Sequence, residues 1–333
     1  TPGQHGRQLE IELTIEALLP YLSNYQNVDV QLPVADYPAG IVDASDQAEM
    51  AREALSQDFT IQKPDNANEG PWTISKEMLA ELLTLKRVED EDGARFDLGL
   101  QRDPMIEWMK TWAPGLSQDP ENARFIFNDD TLQLDLAKSA TIGRAVDAEM
   151  TIQRIEKALR NGEHSTSIDF EYTDPPVTDD AKGEYLGIVE LIHAETSYFY
   201  GSDSARVQNI QTSAAEFHGL LIPPNTTFSM ASAMDDVTLD NGYAEAWIIY
   251  GDQTIKGVGG GVCQVSTTFF RAAFFAGYPI VERHPHAYRV SYYEKVYGNR
   301  IDPNLVGLDA TVYLPLVDFK FTNDSDTWLL VET

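Results

Sequence analysis

Apolar and polar positions along the chain change period repeatedly, and the changes mark out its elements. Ile15 to Leu22 and Ile152 to Leu159 carry apolar residues at helical spacing, whereas Val28 to Val34 and Ser167 to Tyr172 alternate as strands do. The two pairs belong to an internal repeat. Gly6-Arg7-Gln8-Leu9-Glu10-Ile11-Glu12-Leu13-Thr14-Ile15 aligns with Gly143-Arg144-Ala145-Val146-Asp147-Ala148-Glu149-Met150-Thr151-Ile152, keeping the Gly-Arg pair and the apolar positions after it. Each copy runs on into a helix and then into a strand that stops at an Asp with Pro just beyond. On this reading residues 1–45 are the tail of one module and residues 46–178 are a complete second copy.

Within the second copy the pattern predicts helices over 45–58, 76–85 and 103–112, and strands over 72–75, 95–100 and 123–128. Thr173 to Lys182, with Pro175-Pro176 and three Asp residues, reads as a linker. Beyond it, 184–200 suggests strand. Residues 206–218 form an amphipathic helix stopped by Gly219, and 264–276 a helix closed by Gly277. Strands are expected at 244–250, 288–293, 310–314, 317–321 and 329–331. The class is α+β.

Composition adds constraints. The 333 residues include 53 acidic and 24 basic side chains, a net charge of −29, with apolar content of 43%. Such a chain folds as a globular protein, and its field repels a phosphate backbone, so no nucleic-acid partner is expected. The acidity reads as solubility; the runs Glu89-Asp90-Glu91-Asp92 and Asp129-Asp130 lack the spacing of a calcium loop. A single cysteine excludes an intrachain disulfide. No stretch approaches the ~18 apolar residues of a membrane span. Because the chain starts at Thr1-Pro2-Gly3, it is expected to be a fragment or processed form, its membrane anchor lying outside this sequence.

The chemistry concentrates in Gly259-Gly260-Gly261-Val262-Cys263-Gln264-Val265-Ser266-Thr267-Thr268. Three glycines permit unusual backbone torsions and close approach of a substrate. The thiol then sits in the first turn of a helix, where unpaired amides and the dipole favour a thiolate. The amides at Val262 to Gln264 are candidates for an oxyanion site. A phosphate cradle fits poorly, because no Lys follows the glycines in the P-loop arrangement. Cys263 is therefore either a reactive thiol or a small buried apolar residue.

His284-Pro285-His286 supplies imidazoles, of which His286 is the better partner. Asp309, Asp318 and Glu282 are candidate carboxylates to orient it. A zinc site built from Cys263, His284 and His286 is the alternative; the primary reading has no cofactor.

These residues resemble one family. Residues from about 184 to 333 are similar to the VanW domain. The matching stretches include Ser204 to Ile210, Pro223 to Ser229, Asn241-Gly242-Tyr243, Gly259 to Thr268, Glu282-Arg283-His284-Pro285-His286 and Asp309 to Val312. Residues 46–178, and the partial copy at 1–45, more loosely resemble the peptidoglycan-binding module that precedes such domains. The resemblance implies an exported, membrane-tethered cell-envelope protein whose partner is peptidoglycan or its stem peptides. It ranks Cys263, His286 and Asp309 as the catalytic set. Gly259, Gly260, Gly261, Gln264, Ser266, Thr267, Arg283 and His284 are expected on the substrate side. Two classes of function follow: a cysteine acyl transferase or hydrolase, or a wall-binding scaffold in which Cys263 is inert.

Overall fold

A computed structural model describes residues 3–64, 70–90, 93–250 and 253–333. Thr1, Pro2, Glu91 and Asp92 lie outside the described residues, so part of the acidic run and the start of the chain receive no structural account. The class is α+β, as the periodicity predicts. By internal contacts the chain forms two compact units, Thr1–Gln118 with Arg144–Thr173, and Asp119–Gly143 with Asp174–Thr333.

The first unit holds α1 (Ile11–Ser23), α2 (Ser45–Ala54), α3 (Lys76–Leu82), α4 (Arg102–Met109) and α5 (Ala148–Arg160). Helix α5 organises it. Asp147 caps its start by accepting from the Met150 amide, and Lys157 and Arg160 face the negative end of the dipole. Ile152, Ile155 and Leu159 then form one buried face against Phe59, Ile74, Leu98 and Met105. A small sheet runs Ser165–Ser167, Phe59–Gln62, Trp72–Ile74, parallel then antiparallel.

The repeat is visible in the backbone. Strands Gly6–Leu9 and Gly143–Val146 each precede a helix, and the two helices start 137 residues apart. Strand Gly6–Leu9 pairs with Val34–Tyr37, and Gly143–Val146 pairs with Phe170–Thr173. The returning strands therefore fall later than 28–34 and 167–172. Burial separates the copies: Ile11, Leu13, Ile15, Leu19 and Leu22 of α1 are exposed, whereas the apolar face of α5 is covered.

The second unit holds α6 (Gly183–Leu186), α7 (Ser204–Phe217), α8 (Met230–Ala233) and α9 (Val262–Phe275). Helices α7 and α9 enclose a core with Phe217, Phe228, Phe269, Phe319 and Phe321, whose neighbouring rings lie 5.0–6.3 Å apart in tilted, edge-on and stacked pairs. An antiparallel sheet, ordered Thr226–Ser229, Lys320–Asn323, Ile280–Glu282, backs that core. The hairpin Arg124–Asn128 with Gln133–Lys138 also belongs to this unit. Phe125 packs with Val177 and Leu221, and the Ala123 amide donates to the Val177 carbonyl at 3.0 Å. This contact unit thus takes in a hairpin that lies inside the 46–178 stretch of the sequence reading.

Some predicted elements take another form. The expected strand over 184–200 is instead α6 followed by irregular chain, with Leu191 and Ile192 exposed. Helix 76–85 ends at Leu82, because Leu83–Asp90 alternates and pairs with Gly93–Leu100. The strands expected at 288–293 and 310–314 are a 3₁₀ turn at Ser291–Glu294 and a single bridge, Tyr313 to Val317.

Glu156 is the most consequential polar group of the first unit. Nearly buried in α5, it accepts from the Leu100 amide at 2.8 Å, from Lys86 at 3.2 Å and from Arg102 at 3.3 Å. Removing it strands a buried amide. Glu156→Ala is expected to destabilise the first unit by about 2–3 kcal/mol, and Glu156→Gln by about half as much, read by chemical denaturation.

Candidate functional site

The turn before α9 is glycine-rich because three neighbours press on it. Gly259 and Gly261 have φ of +87° and +125°, a region that disfavours side chains. A Cβ on Gly259 would lie 2.3 Å from Val237, one on Gly260 would lie 2.4 Å from the Trp247 carbonyl, and one on Gly261 would lie 2.9 Å from the Arg206 carbonyl. Fully buried Asn209 holds the turn from α7, donating to the carbonyls of Gly260 at 2.9 Å and Ala244 at 3.0 Å. The glycines line a cavity, and their smallness serves packing first.

Helix α9 begins as the sequence predicts, with Cys263 in its first turn. Its polar face then organises the rest of the site. Ser266 and Thr267 donate to the Ala310 carbonyl at 2.6 and 3.2 Å, and Thr267 accepts from the Ala310 amide at 3.1 Å. One turn on, fully buried Arg271 donates to the carbonyls of Leu308 at 2.6 Å and Tyr293 at 2.7 Å. Residues 308–310 are thereby fixed along the helix, and Asp309 between them is fixed with them.

Arg283 completes the frame, donating to the Asp309 carbonyl at 2.7 Å and to its carboxylate at 3.3 Å, with its guanidinium over the Phe270 ring. The Thr311 amide donates to the His284 carbonyl at 2.8 Å, which aligns the next residues. His286 then meets Asp309 twice: its amide donates to Oδ2 at 2.9 Å, and its Nδ1 lies 2.5 Å from the same oxygen. Cys263 lines the same cavity as the imidazole and is close enough to favour its charged form. Cys263 Sγ also lies 3.6 Å from the Val312 carbonyl. The structure therefore brings together the three residues ranked first.

The electrostatics follow from this geometry. Burial disfavours the imidazolium of His286, whose side chain is 3% exposed, but the hydrogen bonds and charges of Asp309 and Cys263 outweigh it. The balance raises His286 to about 9 from the ordinary 6.5. For Asp309, burial favours the neutral acid, yet the contacts to His286 and the charge of Arg283 hold it ionised below its usual range. Tyr293 packs on the imidazole at 5.0 Å, and its burial keeps the phenol neutral.

The trio opens onto a cavity of about 630 Å³ lined by Gly259 to Cys263, His286, Arg206, Trp247, Tyr292, Tyr293 and Thr311 among others. Several residues expected on the substrate side lie elsewhere. Gln264, Ser266 and Thr267 are buried, with their side chains spent on Arg206 and Ser197 in the first case and on Ala310 in the other two. Arg283 sits behind Asp309. His284 is half exposed and bonds Glu282 at 3.0 Å, so Cys263, His284 and His286 do not converge. Among the described residues no group of three His, Cys, Asp or Glu side chains is placed to hold a metal ion.

The other candidate carboxylates are also engaged, Asp318 with Ser229 and the amides of Ala231 and Phe319, and Glu282 with Lys320. Of the amides proposed for an oxyanion, those of Val262 and Gln264 donate to Gly259 and Gly261 carbonyls. Sequence reasoning missed Arg206, Trp247, Tyr292 and Thr311. Arg206 and the tyrosines lay in plain view as polar or aromatic residues, but no spacing ties them to Cys263.

Comparison with known proteins falls on this unit. Residues 205–333 match the family described as VanW like protein. The chain is 37% identical over 135 residues to the uncharacterized protein YoaR of Bacillus subtilis, spanning 40% of this chain and 41% of that one. It is 27% identical over 121 residues to the vancomycin B-type resistance protein VanW of Enterococcus faecalis, spanning 36% of this chain and 42% of that protein. The chain thus spans less than half the length of the curated relatives it matches. Among solved structures, the Ldtfm-avibactam carbamoyl enzyme aligns over 46% of this chain and 51% of its own, at 12% identity and a TM-score of 0.24, a likeness too slight to carry an argument.

Two predictions follow from the geometry. His286 is raised in the folded state, so its contribution to stability is complete below about 6.5 and disappears as pH rises through about 9. Stability of the second unit, measured by denaturant midpoint, is expected to fall over that window in the intact chain, and to be nearly flat there in His286→Phe. Thr267→Val, which removes both bonds to Ala310, is expected to cost about 1–3 kcal/mol and to slow any chemistry at Cys263.

Proposed function

We propose that the second unit is a cysteine acyl transferase or hydrolase acting on peptides of the cell envelope, with Cys263 as nucleophile, His286 as acid and base, and Asp309 as its orienting carboxylate. The observation that carries the proposal is the grouping of the three: His286 bonds Asp309 through Nδ1 and lines one cavity with Cys263, whose nearness favours the imidazolium. The envelope address rests on the VanW-like match and the resistance protein among the relatives. Peptidoglycan stem peptides are the proposed substrates, an extracytoplasmic location the proposed setting, and binding to the same polymer the proposed role of the first unit.

In this mechanism the Cys263 thiolate attacks a peptide carbonyl carbon, forming a C–S bond and an oxyanion. The imidazolium of His286 donates its proton to the departing nitrogen as the C–N bond breaks, leaving a thioester. Water or an amine then attacks the thioester, His286 takes the proton of the newcomer, and the thiolate departs. Asp309 fixes the ring so that the nitrogen away from Nδ1 serves the sulfur. With the Val262 and Gln264 amides occupied, the Cys263 amide is the backbone donor assigned to the oxyanion.

Half-burial of Cys263 within the second core keeps one other reading alive, a wall-binding scaffold with an inert thiol. Alkylation separates the two. The folded protein is expected to react with iodoacetamide near neutral pH, and His286→Ala to react at least ~10-fold more slowly with its pH dependence displaced upward. Labelling that requires unfolding would leave the scaffold reading standing and remove the enzyme.

A further inference from the structure

The cavity beside Cys263 holds a cation for which the mechanism has no use. Arg206, in the first turn of α7, lines the cavity with its guanidinium 5.0 Å over the ring of Tyr292. Two of its five N–H groups are committed, one to Ser202 Oγ at 2.7 Å and one to Gln264 Oε1 at 2.8 Å. Among the described residues it has no carboxylate partner.

The side chain is also held in place from behind. Gln264, adjacent to the nucleophile and 1% exposed, donates to Ser197 Oγ at 2.6 Å, and Ser197 lies 2.5 Å from Thr268 Oγ1. A buried amide between a serine and a guanidinium has one evident task, to fix the fork. The stem of Arg206 passes the turn that leads into the nucleophile: a Cβ on Gly261 would come within 3.1 Å of Arg206 Cγ. Thr311, another residue of the lining, has its Oγ1 buried without a hydrogen bond. Asp236 is the acidic side chain of the lining and would repel an anion placed next to it.

We infer that Arg206 is a carboxylate-binding residue of this cavity, that Gln264 is its positioning residue, and that ligands reaching Cys263 carry a free carboxylate. The inference rests on the reading of Cys263 as the reactive centre only for where the carboxylate is delivered. A planar guanidinium with free N–H groups suits a carboxylate, which it can grip through two parallel bonds, better than a neutral amide. The carboxylate could belong to the peptide that acylates the thiol or to the amine that accepts the acyl group; both present the same chemistry to Arg206.

Two alkylating agents of the same shape test the inference on the intact chain, because iodoacetate carries a carboxylate where iodoacetamide carries an amide. The ratio of their rates at Cys263 is expected to fall roughly tenfold in Arg206→Gln and in Gln264→Glu, which neutralises the guanidinium without removing it. Arg206→Lys is expected to retain most of the ratio. The ratio, not either rate alone, is the readout: loss of a cation near the thiol slows both reagents alike, whereas loss of a carboxylate grip lowers only the iodoacetate rate. A ratio that ignores Arg206 overturns the inference.

If neither reagent reacts, the mechanism has failed, and calorimetry decides the anchor separately. N-acetyl-alanyl-alanine as free acid should bind at least ~10-fold tighter than its C-terminal amide, with the preference abolished in Arg206→Gln. Equal binding of acid and amide, or no binding of the acid, overturns it. An acid preference confined to the acylating peptide or to an accepting amino acid in turnover assays would assign the carboxylate to donor or acceptor.

Discussion

The second unit depends on the bonds between the polar face of α9 and the backbone at 308–310. A helix that buries Ser266, Thr267 and Arg271 in an apolar core must satisfy their hydrogen-bonding groups there, and each unmade bond costs about 1–3 kcal/mol. The chain meets most of them with the Leu308 and Ala310 carbonyls and the Ala310 amide, a segment with almost no regular structure of its own, and with the Tyr293 carbonyl, leaving Arg271 Nη1 unbonded. Asp309 lies between those two residues. Its position is therefore set by the same bonds that stabilise the core. Arg283 and the backbone of His284 extend the frame by one more layer, and His286 inherits its place from Asp309.

This explains which parts were legible in the sequence. Helix α9 and its first-turn thiol followed from periodicity and the glycine run, and the α+β class from alternation of the two periods. The repeat at 6–15 and 143–152 appears as strand and helix in both copies. Cys263, His286 and Asp309 were named because such residue types suit one another and because a family resemblance singled them out. What stayed hidden was the direction of side chains on α9. Gln264, Ser266 and Thr267 look like a polar substrate face in the sequence; in the fold they are internal fasteners. The strand expected over 184–200 failed for a related reason, since alternation promises a strand only where a partner backbone is available.

Charge gives the cavity its character. Most of the molecule is acidic, and its field keeps it soluble while discouraging anions. At the thiol two cations gather, Arg206 and the charged form of His286, beside Tyr292, Tyr293 and Trp247, with Asp309 opposite the imidazolium and Asp236 elsewhere in the lining. Low-dielectric aromatic walls strengthen both charges locally, so a small site can act against the field of the whole.

Backbone bonds to α9 hold an imidazolium between Cys263 and Asp309. Nitrogen-15 NMR of the histidine rings reads it directly. One ring, assigned by His286→Phe, is expected to stay doubly protonated through neutral pH, with an Nδ1 proton far downfield that vanishes in Asp309→Asn. A His286 ring that titrates near 6.5 in the intact protein, unmoved by Asp309→Asn, would contradict it.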